Sequence, residues 1–185
     1  MWVAHVKGTS IRSLACTGRG QPDTSSSKWR GYDRYVRGRD TLSGQEQRGL
    51  DLFRSRCASC YTEPLFTNNQ FASNGLPVDT ALNDLGRSKV TRIDADAFTF
   101  RVPSLRNIAV THPYMHDGRY KRLREVLAFY GSPEQHANYA DPRIRAIGVL
   151  RDDERKDMIA FLFTLTDHEF LNDPRHRDPF TVIQR

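Results

Sequence analysis

Two cysteines separated by two residues, Cys57 and Cys60 in R-C-A-S-C-Y-T-E-P-L-F, with Tyr61 directly behind them, are the side chains of this sequence best suited to chemistry. Three chemistries use such a pair. A redox dithiol needs a thiol of depressed pKa, which a helix N-terminus supplies. Here the pair follows a helical stretch, and the dipole at a helix C-terminus disfavours thiolate. Structural zinc is a second reading: Cys57 and Cys60 could join His112 and His116, each pair at a spacing zinc tolerates, although the roughly fifty residues between the pairs exceed those of small zinc modules. Covalent haem is the third. Two thiols one turn apart can each add to a vinyl group of one porphyrin, and the next residue then points at the iron. That residue is Tyr61, at a position where such motifs carry histidine.

The elements that must position these groups are readable from capping and periodicity. T-L-S-G-Q-E-Q-R-G-L-D-L-F-R-S-R carries Ser43 and Glu46 as a capping box, with Leu50 and Phe53 at helical spacing, so a helix near 43–56 runs straight into Cys57. Y-K-R-L-R-E-V-L-A-F-Y places Leu123, Val126, Leu127 and Tyr130 on one stripe and stops at Gly131, predicting a second helix near 120–130. D-D-E-R-K-D-M-I-A-F-L-F-T-L opens with acids and continues into Met158, Ile159, Phe161 and Leu162, a third helix near 152–165. Gly49 and Phe53 of the first helix are expected to meet Ile159, Phe161 or Leu162 of the third, because a small residue lets two backbones approach. From Tyr61 to about Ile93 the sequence reads as a long loop with one short helical turn, and a loop of that length usually wraps something. F-T-F-R-V-P-S-L-R-N-I reads as an extended segment leading into a turn of helix after Pro103. Tyr32 to Gly38 reads as one helical turn or a short extended piece, residues 17–31 as linker, and the tail after Asp173 as extended. The fold class is therefore all-α, with three main helices and long loops.

A chain of 185 residues with only 38% hydrophobic residues holds one domain with a modest core. Its mean hydropathy of −0.64 suits a core completed by an apolar cofactor. The formal charge of +6 is spread among acids, not gathered in runs, which argues against nucleic acid and suits an acidic protein partner. No apolar run approaches the roughly 18 residues of a membrane span. Three cysteines make no disulfide framework. The first twenty residues lack the apolar region of a secretory signal, Ser13-Leu14-Ala15-Cys16 is only a faint echo of a lipoprotein cleavage site, and Cys16 reads as dispensable.

Beyond the cysteine pair, G-L-D-L-F-R-S-R-C-A-S-C, E-P-L-F-T-N, F-R-V-P-S-L-R-N-I, P-Y-M-H-D-G-R-Y, L-R-E-V-L-A-F-Y and F-L-F-T-L-T-D-H-E-F resemble, in this order, the C-terminal domain of bacterial di-haem cytochrome c peroxidases, including their MauG-like branch. The resemblance runs from about Tyr32 to Phe180. It implies a cytochrome c-like domain over residues 32–180, an irregular segment or remnant of a preceding domain over 1–31, and a tail over 181–185. Family members are periplasmic, carry one c-type haem in each of two domains and reduce hydrogen peroxide at the N-terminal haem. The implied function is therefore a haem c electron-transfer domain, a fragment without its peroxidatic N-terminal half and without catalytic residues of its own. A small redox protein would be its electron donor.

Residue by residue, the resemblance makes Cys57 and Cys60 the thioether cysteines and puts Tyr61 in place of the proximal histidine. Tyr130 falls where the second axial ligand is expected, although its helical spacing beside Leu127 equally suits a core aromatic. Arg101, Pro103 and His116 fall at haem-site positions, and Met115 is read as packing. Thr111 and Pro113 match calcium ligands that act through backbone carbonyls, with a further ligand drawn from the other domain. The competing expectation is a haem-free cytochrome c-like fold, or a zinc domain using Cys57, Cys60, His112 and His116.

Overall fold

The computed structural model describes residues 31–132 and 139–176. The expected N-terminal linker, Cys16 and the last nine residues of the tail lie outside the described residues. The helices are α1 (Gly31–Val36), α2 (Gly44–Arg56), α3 (Ser88–Thr91), α4 (Leu123–Tyr130), α5 (Pro142–Arg145), α6 (Asp152–Phe163) and α7 (His168–Asn172). A two-stranded antiparallel sheet pairs β1 (Phe71–Ala72) with β2 (Phe100–Arg101), in the register Phe71 to Arg101 and Ala72 to Phe100. The molecule is thus helical, as expected, with a small two-stranded sheet that the expectation lacked. β2 lies in the segment read as extended, but its partner arrives from about thirty residues upstream, and a two-residue strand leaves no periodic signal.

α2 begins as its capping box requires. Glu46 N–H donates to Ser43 Oγ at 3.3 Å, and Ser43 N–H donates to the Glu46 carboxylate at 2.7 Å. The helix crosses α6 at Gly49, where a Cβ would stand 2.0 Å from the Asp157 carbonyl oxygen and 2.8 Å from Phe161 Cβ. Glycine is what allows this approach, and the Arg48–Asp157 ion pair at 2.8 Å flanks it. Around the crossing the rings of Phe53 and Phe161 lie 5.1 Å apart, Phe53 and Phe66 5.6 Å, and Tyr32 and Phe66 4.9 Å, a buried aromatic cluster in tilted and edge-on geometry. The expected meeting of Gly49 and Phe53 with Phe161 is present.

α1 and the Arg106 turn fasten the loop that follows Tyr61. Arg106 forms a two-pronged bond to Asp33 at 2.9 Å and donates to the Pro64 carbonyl at 2.6 Å. Arg54 donates twice to Glu63, at 2.8 and 3.0 Å, and the Tyr32 hydroxyl donates to the same carboxylate. Burial, then the Glu63 contact, raises the Tyr32 pKa above its ordinary value, so the phenol stays a donor.

The turn expected after Pro103 comes later, as a 3₁₀ turn at Ile108–Val110. Leu105 N–H is already committed to the Phe66 carbonyl at 3.1 Å, and Asn107 takes a left-handed backbone with φ 63° before the turn starts. Among the described residues, no helix is long and apolar enough to cross a membrane.

Candidate functional site

Cys57 closes α2, its N–H bonded to the Phe53 carbonyl at 2.8 Å. The chain then turns tightly, and the N–H groups of Cys60 and Tyr61 both donate to the Cys57 carbonyl, at 3.2 and 3.1 Å. This turn aims the pair and the phenol at one narrow cavity of about 20 Å³, room for roughly one water molecule. Its wall is mainly apolar, from Leu127 and Tyr130 of α4, Ile144 of α5, and Ile147 and Leu150 of the segment before α6, with Arg56 and Arg143 completing it.

Both thiols are free. Burial, and then the neighbouring Cys60, pushes the Cys57 thiol up to about 12, so it is held protonated rather than activated as a dithiol nucleophile would be. Tyr61 and Tyr130 are 6% and 3% exposed. The Tyr130 hydroxyl is hydrogen-bonded to Tyr61 and to Asn74. Burial and the two nearby thiols raise its pKa above the ordinary phenol value, against the opposing pull of those two hydrogen bonds.

Of the residues singled out in the sequence, Cys57, Cys60, Tyr61 and Tyr130 are brought together; the others line other parts of the fold. Arg101 is exposed on β2 and donates to Asn69 at 2.6 Å. Pro103 follows Val102, whose carbonyl accepts from Thr67 at 2.7 Å. His116 stacks on Phe100 with ring centres 4.1 Å apart, in a recess shared with Ser73, Asn74 and Asp84. Burial lowers its pKa, and its buried Nδ1 has no hydrogen-bond partner. Thr111 ends the Ile108–Val110 turn, and the Pro113 ring lies under Gly118.

The zinc expectation is corrected. Among the described residues no group of three or more His, Cys, Asp or Glu side chains gathers to hold a metal ion. The cysteines face the cavity beneath α4, whereas His116 is committed to Phe100 and His112 is exposed.

Sequence reasoning missed Asn74 and Arg143. Asn74 sits in S-N-G-L, and the Asn-Gly pair signals a turn but not the inward use of the carboxamide. Arg143 is held by Asp141, the N-cap of the short α5, in a two-pronged pair at 2.7 and 2.9 Å.

The fold is that of cytochrome c peroxidase-like proteins. A MauG-like protein associated with microbial copper homeostasis superposes with a TM-score of 0.72 at 30% identity, covering 82% of this chain and 55% of that one. The diheme peroxidase BthA from Burkholderia thailandensis superposes with a TM-score of 0.60 at 26% identity, covering 77% of this chain and 47% of that one. In sequence, the methylamine utilization protein MauG of Paracoccus denitrificans is 30% identical over 180 residues, covering 75% of this chain and 46% of the relative. The cytochrome c551 peroxidase of Nitrosomonas europaea is 32% identical over 139 residues, covering 73% of this chain and 38% of the relative. The chain belongs to the di-haem cytochrome c peroxidase and MauG-like family. It spans less than half the length of these two curated relatives. No protein-family model matches it.

Two free thiols one turn apart on an apolar wall suit the attachment edge of haem c, whereas the cavity of about 20 Å³ is far smaller than a porphyrin, so α4 and the turn after Cys60 would have to part to admit it.

Proposed function

We propose that this chain is the haem c electron-transfer domain of a two-domain, peroxidase-like oxidoreductase, with an altered donor where its relatives carry the proximal histidine. The observation that supports it most is the convergence of Cys57, Cys60, Tyr61 and Tyr130 on one apolar cavity. Haem c held here would supply a one-electron Fe(III)/Fe(II) couple. Cys57 and Cys60 would provide its two thioether sulfurs, and Tyr130, with or without Tyr61, would offer oxygen to the iron. A phenol binds iron well only as phenolate, a hard anion that favours Fe(III), so the couple would sit well below that of a histidine-ligated haem. The three main helices α2, α4 and α6 serve as the frame: α2 delivers the thiols, α4 delivers Tyr130, and α6 locks α2 through Gly49.

The test is expression with c-type maturation. A Soret band that survives denaturation is expected, and it should vanish in Cys57→Ser combined with Cys60→Ser. A natively folded chain with no bound haem under those conditions would sink the reading.

The peroxidatic half belongs, on this reading, to a partner domain outside the chain, the compartment is the periplasm, and a small acidic redox protein delivers electrons. The net charge of +6 supports the last point. Association with such a donor should slow several-fold as salt rises from about 10 mM to about 150 mM, the range over which the screening length falls from about 30 to 8 Å. A rate indifferent to salt would remove the steering. A calcium ion would depend on the Thr111 and Pro113 carbonyls and on ligands from outside the chain, because no acidic cluster of the described residues gathers there.

A further inference from the structure

The oxygen of Tyr130 is met by a carboxamide that the surrounding fold prevents from turning over. Asn74 is buried at 4% exposure. Its Oδ1 accepts from the Leu76 N–H at 3.1 Å, and its Nδ2 donates to Met115 Sδ at 3.4 Å. The Asn74 contact pulls the Tyr130 pKa down, as a donor to the phenol oxygen does, so with Oδ1 facing the Leu76 N–H it is an Nδ2 N–H that points at that oxygen. A flipped carboxamide would set Nδ2 against the Leu76 N–H and lose both bonds.

Everything that carries Asn74 is fixed in turn. Gly75 N–H donates to Ser73 Oγ at 3.3 Å, and Asp141 N–H donates to the Ser73 carbonyl at 2.9 Å, tying the segment to the start of α5. Met115 is fully buried and keeps a left-handed backbone, φ 73°, which a non-glycine side chain adopts only where its surroundings hold it. That strained backbone presents the thioether to Asn74.

We propose that Asn74 is a positioning residue for Tyr130, donating an N–H to the phenol oxygen and so fixing the direction in which that oxygen faces the cavity lined by Cys57 and Cys60. What the oxygen does there rests on the haem reading; the hold itself does not.

The test has two arms. In the chain without haem, one side-chain amide proton of Asn74 should be resolved by NMR and exchange slowly. Tyr130→Phe, which keeps the ring, should cut that protection by about fivefold or more, as the loss of one buried hydrogen bond implies. An Asn74 amide unmoved by Tyr130→Phe overturns the proposal, whatever the haem does. In the haem-loaded chain, Asn74→Leu should keep the covalent haem but weaken or split the tyrosinate-to-iron charge-transfer band at least twofold, a readout that a merely structural role would leave intact while melting temperature falls. An unchanged band in Asn74→Leu also overturns the proposal. A wild-type chain with bound haem and no such band, together with an Asn74 amide that does respond to Tyr130→Phe, retains the positioning role and sinks the tyrosine ligation.

Discussion

Tyr61→His should turn a ferric haem that resists reduction into a six-coordinate haem with one nitrogen and one oxygen ligand, and raise its reduction potential by on the order of a few hundred millivolts, within the roughly 0.8 V that axial ligands span. Neutral imidazole binds both ferrous and ferric iron. Phenol must first lose a proton whose ordinary pKa is near 10, and the resulting anion stabilises the ferric state alone. Tyrosine is also longer than histidine by most of a ring, and the structure registers that length: from its turn after Cys60 the Tyr61 hydroxyl reaches the oxygen of Tyr130. Histidine at this position is shorter and leaves Tyr130 with its Asn74 partner. Because the turn is held by backbone bonds to the Cys57 carbonyl, which the substitution does not touch, the change should act on the ligand and not on the fold. Potentiometric titration beside absorption spectra of the two proteins checks it. Native protein reduced readily by ascorbate, with Tyr61→His no easier to reduce, would reverse the expected order and show that Tyr61 plays another part.

The second large effect is on stability. Gly49→Ala would place a methyl group 2.0 Å from the Asp157 carbonyl oxygen and 2.7 Å from its carbon. Both are backbone atoms, so nothing flexible can swing aside, and α2 and α6 must part. Alanine gains about 1 kcal/mol of helix propensity over glycine. Forced separation of two packed helices costs about 3 kcal/mol or more, because it also loosens the Phe53–Phe161 contact at the same crossing. The clash therefore wins, by about 2 kcal/mol, visible as a lower denaturation midpoint with an unchanged slope. Gly49→Ala equal to or above the parent in stability would mean that the two helices do not cross here.

How much of this was legible depends on how local the cause is. α2 was readable to within a residue because Ser43 and Glu46 satisfy each other's backbone donors across a single turn. α4 and α6 were readable from their buried stripes, though α4 starts at Leu123, where Glu125 accepts from the Arg122 N–H at 3.0 Å and sets the first turn. The strand pair was not readable, since Ala72 and Phe100 become neighbours only when the intervening loop has been folded back. The turn expected after Pro103 starts later for the same kind of reason, since the Leu105 N–H is claimed by the Phe66 carbonyl from another part of the chain.

The site divides along the same line. Cys57, Cys60 and Tyr61 lie within one turn of chain at a helix end, so their closeness is set by the sequence, while the turn bonded to the Cys57 carbonyl brings them to one cavity. Tyr130 was known from the sequence only through resemblance, and its place beside Tyr61 is a tertiary fact. Spacing within each pair made Cys57, Cys60, His112 and His116 a plausible zinc set, yet no property of the sequence measures the distance between the pairs, and the fold commits His116 to Phe100 instead. Asn74 shows the limit most clearly: its sequence neighbours mark a turn, while its function comes from Leu76, Met115 and Tyr130, which fix the carboxamide from separate segments. Caps and periodic stripes are determined by the sequence because the interacting groups lie within a turn or two of one another. Which groups share a buried cavity is decided only by the tertiary structure, because it depends on loop paths set by hydrogen bonds between residues far apart in the chain.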